Sequence, residues 1–246
     1  MSDSAILLAA GPGTRLKPLT DTTPKCLVPV GGRPMLDWWL ALLVRHGVRR
    51  ALLATNYFAD QVKAFAREQR YAISLDVVDE PVLLGTAGAV AARKSWLRGT
   101  DAFWVIYVDN LSSADLSEMR AFHRSSAGIG TLGVYETPVP EQCGIIELAA
   151  GYNDGSGTGR VARLVEKPSE PVGNLANGGL YLLDRGILDH IPSRPCDFAR
   201  DVFPALLRQA GARPLYAWRI RGYHLDMGTL ATYKRAENDV RTGVFP

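Results

Sequence analysis

Two fixed cations follow a glycine-rich turn near the start of the chain: Gly11 and Gly13, then Arg15 and Lys25, in LLAAGPGTRLKPLTDTTPKCLVPV. Glycine lets the backbone take positive φ and approach a ligand closely. The N–H groups of such a turn can cradle phosphates. Arginine adds a planar fork of donors, and lysine a compact point charge. On the glycines alone, a plain strand-to-loop turn with surface cations is an equal reading. The segment is not a Walker loop, because no G-K-[S/T] follows at the required spacing. Nor is it a dinucleotide fingerprint, since Leu16 stands where the third glycine belongs. Further along, Asp109 closes the β-favouring run VIYVDN, and Glu166–Lys167 lie in LVEKP. In isolation the first suits a turn or cap and the second a solvated surface pair. The four histidines are scattered, and no Ser/His/Asp or Cys/His arrangement is visible.

These residues need a frame. Ala5–Ala9 reads as a buried strand, and Gly11 to Arg33 as a long loop of the kind that is usually functional. Pro34 suits the first position of a helix over Met35–His46, which Gly47 stops. A strand follows at Arg49–Thr55, a helix at Tyr57–Gln69 and a strand at Ile73–Val78. Gly85–Trp96 reads as a loop running into a helix, Ala102–Val108 as a strand, Ala114–Ser125 as a helix and Ile129–Tyr135 as a strand. That alternation implies a parallel sheet covered on both faces. The later segments Cys143–Leu148, Gly159–Pro168 and Asn177–Asp184 are β-like, with Tyr152–Gly159 a flexible turn between two of them. A helix over Phe198–Ala210, short strands around Leu215 and Tyr223, and a last helix over Leu230–Val240 complete the chain. The expected fold is α/β: a Rossmann-like three-layer α/β/α domain with a mixed, mainly parallel central sheet.

The 246 residues are 47% hydrophobic and 22% charged, enough apolar material for a core. The net charge of +3 carries no dense basic run, so neither nucleic acid nor an anionic membrane is expected as a partner. WWLALLV (Trp38–Val44) is the longest apolar stretch, far short of the ~20 residues of a membrane span. Cys26, Cys143 and Cys196 are widely spaced and odd in number, which fits a reducing cytoplasm better than a disulfide framework or zinc site. The N-terminus lacks the basic region of a signal peptide. Trp38 and Trp39 permit a homodimer but suit the core better.

The complete string GPGTRLKPLTDTTPKCLVPVGGRPML resembles the signature of sugar-1-phosphate nucleotidyltransferases, G-x-G-T-R-L-x-P-L-T, then P-K-x-L-x-P-V, then G-x-P-M-L. The family makes an NDP-sugar and pyrophosphate from an NTP and a sugar 1-phosphate, with Mg²⁺. The resemblance implies that Ala9, Ala10, Gly11, Gly13 and Thr14 bind nucleotide. Arg15 would hold the triphosphate and the leaving pyrophosphate, and Lys25 the α-phosphate. LGTAGAV (Leu84–Val90) is similar to the family's base-contacting loop, so Gly85, Thr86 and Gly88 join the nucleotide site; alone it is a helix N-terminus with a turn and a cap. VIYVDN resembles the strand ending in a metal aspartate, Asp109, although Val108 stands where a glycine or polar residue is usual. LVEKP matches V-E-K-P, implying that Glu166 contacts the sugar and Lys167 its phosphate. NGGLYLL resembles N-x-G-x-Y, placing Asn177, Gly178 and Gly179 at the hexose. YHLDMGTLATYKRAE resembles W-x-D-x-G-T before a closing helix, making Asp226 the second metal aspartate and Thr229 a cap.

The implied chemistry is in-line attack of the sugar phosphate oxygen on the α-phosphorus, with catalysis by positioning and charge neutralisation. The chain reads as one nucleotidyltransferase domain, residues 1–246: a nucleotide-binding N-terminal half, sugar-phosphate strands over about 140–228, and a closing helix. The appended β-helix of large regulated relatives is not expected. GTAGAV, PLTDTTPKCLVPV and VEKP look most like the mannose- and heptose-1-phosphate guanylyltransferases, which favours GTP. AAG at Ala9–Gly11 also occurs in short uridylyltransferases, so UTP follows, then CTP, dTTP and ATP. A non-catalytic sugar-nucleotide-binding regulatory paralogue is the alternative from another class. The joint presence of Arg15, Lys25, Asp109, Lys167 and Asp226 argues against it.

Overall fold

The computed structural model describes residues 3–152 and 155–246, so Asn153 and Asp154 of the expected Tyr152–Gly159 turn lie outside the described residues. In chain order the elements are β1 (Ser4–Ala9), β2 (Pro29–Val30), β3 (Arg33–Pro34), α1 (Met35–Arg45), β4 (Arg50–Thr55), α2 (Ala59–Glu68), β5 (Ser74–Asp79), α3 (Gly85–Ala91), β6 (Ala102–Tyr107) and β7 (Asn110–Ser112). There follow α4 (Leu116–Ser126), β8 (Gly130–Glu136), β9 (Gly144–Leu148), β10 (Gly159–Glu166), β11 (Leu175–Asp184), α5 (Phe203–Arg208), β12 (Leu215–Arg219), β13 (His224–Asp226) and α6 (Leu230–Arg241). The chain packs as two compact units. A terminal unit comprises Asp3–Leu83, Ile106–Leu116 and Arg221–Pro246; a central unit comprises Leu84–Val105 and Ser117–Ile220.

In the terminal unit β5, β4 and β1 lie side by side and parallel, with Ser4 opposite Arg50 and Arg50 opposite Ser74. β1 and β4 are near-continuous apolar runs, as parallel strands buried on both faces require. β5, at the edge, is only half-buried. The long loop after β1 is ordered. It makes three single 3-10 turns, Thr14–Leu16, Leu19–Asp21 and Lys25–Leu27, each of which buries one side chain: Leu16, Thr20 and Cys26. Its last residues pair as β2–β3, and Pro34 sits one residue ahead of α1. A second small ladder joins β7 to β13, strands separated by more than a hundred residues in sequence. A core of Val28, Val30, Met35, Leu111, Met227, Ala236 and Phe245 lies beneath these pieces and α6. Thr229 caps α6 as expected: its hydroxyl accepts from the Thr232 N–H, and the Thr232 hydroxyl accepts from the Thr229 N–H.

In the central unit the strand order is β11-β8-β12-β10-β9, and β11 also pairs with β9 at Ala176–Ile145. The five strands therefore close on themselves into a small barrel. Only β8–β12 is parallel among these pairs; the others are antiparallel. The fold is thus α/β with mixed pairing: β5-β4-β1 are parallel as expected, whereas the barrel strands are antiparallel apart from β8–β12. The bend comes from two irregularities, a register shift between Asn177 and Tyr181 in β11 and another between Val161 and Arg163 in β10. Such bulges kink and twist a strand. Gly130 adds close approach, since a Cβ there would stand 2.7 Å from Leu183 Cδ2. The helix expected over Phe198–Ala210 instead opens with a π-turn, Phe198–Val202, before α5, where Pro204 has no N–H to give.

Candidate active site

Of the two glycines of the turn, Gly13 takes a positive φ and Gly11 does not. Gly13 has φ 64°, and a Cβ there would stand 2.9 Å from Thr20 Cγ2 and 3.2 Å from Lys25 Cβ. Only glycine fits. Its carbonyl accepts from the Leu16 N–H at 2.9 Å and from the Thr20 hydroxyl at 2.9 Å. These bonds and the buried Leu16 leave Arg15 on the outer side of the turn, exposed. Gly11 stands open, with nothing near where a Cβ would be, while Ala9 ends β1 and Ala10 follows it, both half-buried.

The same unit brings the two aspartates to this turn. Asp226 pairs with Asn110 in the β7–β13 ladder, and the Met227 N–H donates to the Asp109 carbonyl at 2.9 Å. Lys25 Nζ lies 2.8 Å from Asp109 Oδ2. A Cβ on Gly228 would stand 2.9 Å from Arg15 Nη2 and 2.9 Å from Asp226 Oδ1, so the guanidinium and the second carboxylate crowd one glycine. Arg15, Lys25, Asp109 and Asp226 therefore converge. Crowding by protein atoms and then the Asp109 charge hold the Asp226 carboxyl above the usual range, against the pull of Lys25, Arg15 and the Gly228 N–H. The residue keeps an open face to solvent nonetheless. Val108 is buried, and its N–H donates to the Leu8 carbonyl at 3.2 Å. It anchors the strand end to β1 while Asp109 stays partly exposed.

Among the described residues no group of three or more His, Cys, Asp or Glu could hold a metal. Two carboxylates are a fitting protein share for Mg²⁺, which keeps several waters and takes substrate phosphates as its other ligands.

The remaining expected residues lie in the central unit. Glu166 ends β10 opposite Gly144, where a Cβ would stand 2.8 Å from Glu166 Oε2 and 3.6 Å from Asn177 Cβ. Glu166 and Asn177 thus meet over a glycine. Asn177 Nδ2 donates to the Tyr181 hydroxyl at 2.8 Å, and the β11 bulge holds Gly178 and Gly179, the latter at φ 62°. Lys167 is exposed with φ 48°, a left-handed conformation that non-glycine residues keep mostly at functional or tightly constrained sites. Its N–H donates to the Cys143 carbonyl at 2.9 Å.

Gly85 opens α3 at φ 73°, and a Cβ there would stand 2.5 Å from the Cys196 carbonyl oxygen. The Ala87 and Gly88 N–H groups donate to that carbonyl at 3.0 and 3.1 Å. The Thr86 N–H and hydroxyl both donate to Asp197 Oδ1, at 2.9 and 3.0 Å. The Thr86, Ala87 and Gly88 amides are therefore engaged within the fold. The sequence gives no role at the site to Gly144, Asp197 or Gly228, and reads Trp39 only as a core or interface aromatic, although its Nε1 donates to the Asn110 carbonyl at 2.8 Å. Each acts on a residue distant in sequence, a relation that no local pattern shows.

Comparison with known proteins follows the same lines. Residues 4–243 match the profile of the nucleotidyl transferase family. The chain is 34% identical over 227 residues to the mannose-1-phosphate guanylyltransferase catalytic subunit beta of Xenopus tropicalis, covering 91% of this chain and 61% of that protein. It is 36% identical over 233 residues to mannose-1-phosphate guanylyltransferase 1 of Arabidopsis thaliana, covering 93% and 62%. The chain thus spans about three fifths of the length of the curated relatives it matches. The UDP-glucose pyrophosphorylase of Acinetobacter baumannii superposes with a TM-score of 0.81 at 25% identity, covering 96% of this chain and 92% of that one. A UDP-glucose pyrophosphorylase complexed with UDP-glucose superposes with a TM-score of 0.83 at 19% identity, covering 99% and 100%, which is a likeness of fold.

Proposed function

The chain belongs to the nucleotidyl transferase family, and we propose that it makes an NDP-sugar and pyrophosphate from an NTP and a sugar 1-phosphate. GTP is the favoured nucleotide and a mannose- or heptose-type phosphate the favoured sugar, supported by the guanylyltransferase names of the relatives at 34 and 36% identity. One observation carries the reading: Arg15, Lys25, Asp109 and Asp226, expected from separate motifs, converge in one place. In this reading the 246 residues act as one domain of three-layer α/β/α type, in the cytoplasm, where its three unpaired cysteines would stay reduced. A homodimer has little from Trp38 and Trp39, because Trp39 is buried and Trp38 packs edge-on to Phe245. No helix among the described residues is long and apolar enough to cross a membrane.

In the proposed reaction a sugar phosphate oxygen attacks the α-phosphorus, the bond to the bridging oxygen breaks, and pyrophosphate leaves. Arg15 holds the β- and γ-phosphates and Lys25 the α-phosphate. Lys167 orients the incoming phosphate, Glu166 and Asn177 the sugar, and Ala9, Ala10, Gly11, Gly13 and Thr14 with Gly85, Thr86 and Gly88 the nucleotide. Asp109 and Asp226 would hold Mg²⁺, which when bound supplies positive charge against the phosphates. Lys25 and Arg15 now sit at those carboxylates, so each cation can turn to phosphate once its aspartate has another positive partner. The test is pyrophosphate release across GTP, UTP, CTP, dTTP and ATP crossed with mannose, glucose, N-acetylglucosamine and heptose 1-phosphates. One strong pair is expected, with GTP. Silence across the panel, with an NDP-sugar still raising the melting temperature, would move the reading to the non-catalytic paralogue.

A further inference from the structure

A short segment between β11 and α5 grips the start of α3. Asp197 Oδ1 accepts from both the N–H and the hydroxyl of Thr86, and the Thr86 hydroxyl in turn accepts from the Phe198 N–H at 3.0 Å. The Cys196 carbonyl takes the next two amides of α3, and the Cys196 N–H donates to the Leu84 carbonyl at 2.9 Å. Gly85 must remain glycine for this approach. The gripping segment is itself fixed. The Asp197 N–H donates to Asp201 Oδ2 at 2.8 Å, Arg194 Nη2 lies 3.2 Å from Asp201 Oδ1, and the Phe198 ring stacks on Phe203 with centroids 5.2 Å apart. A seven-residue helix cannot hold its first turn rigid by its own ladder. Its geometry is imposed by the Cys196–Phe198 segment, and Asp197 is the only side chain of that segment bonded to Thr86 among the described residues.

We propose that Asp197 is a positioning residue for nucleotide binding: it fixes Thr86, and so holds the Gly85–Gly88 turn in the one conformation that accepts the base. The inference rests on the assignment of that turn to the nucleoside. It separates base recognition from phosphate recognition, because Arg15 and Lys25 belong to other segments. Loss of the carboxylate should weaken a nucleotide and leave a base-free polyphosphate alone. A residue that only stabilised the fold would not discriminate between the two.

Equilibrium titration of the whole protein by calorimetry provides the test, with the tightest NTP of the panel and with inorganic pyrophosphate, both with Mg²⁺. Asp197→Ala is expected to raise the Kd for the NTP at least tenfold and to leave that for pyrophosphate within twofold. Asp197→Asn keeps an acceptor oxygen without the charge and should fall between, near threefold. It carries the test alone if the alanine variant does not fold. An unchanged NTP affinity in either variant, or an equal loss for pyrophosphate, overturns the positioning role. A wild-type protein that binds no NTP overturns the underlying functional reading as well, and that result is distinguishable because it appears before any substitution.

Discussion

Gly228→Ala tests the charge cluster with a single methyl group. Gly228 is not in the left-handed region, so its backbone accepts alanine without strain. The new Cβ would stand 2.9 Å from Arg15 Nη2, 2.9 Å from Asp226 Oδ1 and 3.3 Å from Arg15 Cζ. Carbon packs at about 3.5–4.0 Å, so the guanidinium or the carboxylate must retreat by roughly half an ångström or more. Arg15 is exposed and flexible, which keeps the cost to the fold small, about 1 kcal/mol or less, or a Tm shift of no more than about 4 °C. Turnover is less forgiving. Misplacing a catalytic group by about 1 Å can cost ~10²-fold, and deleting a charge-stabilising donor costs ~10²–10³. We expect kcat to fall about ten- to a hundredfold, or about 1.4–2.7 kcal/mol of barrier. The assay is pyrophosphate release with saturating substrates, alongside Arg15→Ala and the double variant. If Gly228→Ala acts through Arg15, the double variant should be little worse than Arg15→Ala alone. Turnover within threefold of wild type, in a protein that melts normally, would refute the placement of Arg15 and Asp226 in the reaction.

Lys167→Gly should separate strain from function: glycine relieves the left-handed φ of 48° and should leave Tm unchanged or higher, while steady-state KM for the sugar 1-phosphate rises tenfold or more. A KM that stays put removes Lys167 from that phosphate. Burial pushes the Cys26 thiol up to about 12, and the residue is 2% exposed. Iodoacetamide at pH 8, followed by peptide mapping, should therefore modify half-buried Cys143 well before Cys26; equal rates would show that the loop around Cys26 opens readily. Burial alone would raise the Asp184 carboxyl, but hydrogen bonds from His123 and Arg213 outweigh it and hold the group below its ordinary 3.8. A depressed folded value adds stability above about pH 4 that is lost as pH falls through that folded value. Asp184→Asn should accordingly lower Tm at pH 7 and flatten its fall between pH 5 and 3; an equally steep acid limb would assign that limb to other carboxylates.

The fold was legible where pattern is local. Apolar runs such as SAILLA and RALLAT announce buried parallel strands, and both lie close to where the sequence puts them. The closed barrel was not legible, because closure depends on two register shifts and on what glycine lets approach. A glycine in a β-like run signals a bulge or a close contact without saying which. Gly179 marks the shift in β11, whereas Gly130 admits Leu183 and Gly144 admits Glu166. The long loop was legible as a loop but not as ordered. Its order comes from Leu16, Thr20 and Cys26, three inward residues at no regular period, each held by a one-turn 3-10 segment.

The site divides in the same way. Arg15, Lys25, Asp109 and Asp226 were readable because each sits in a motif and each is a charge that needs a reason. Their mutual geometry was not, because it is set by residues whose local reading is bland. Trp39 reads as one more core aromatic of α1, yet its indole N–H is spent on the Asn110 carbonyl, one residue past Asp109 and opposite Asp226. A buried carbonyl left without that donor would cost about 1–3 kcal/mol, so the indole constrains the ladder that carries both aspartates. Asp197 stands in no motif, yet it caps a helix that begins over a hundred residues earlier. Gly228 reads as part of a G-T before a helix, and its missing side chain is what lets Arg15 and Asp226 stand together. Chemistry needs particular functional groups, which a sequence shows; positioning needs only a bond or a space of the right size, which many residues could supply and only the folded chain identifies.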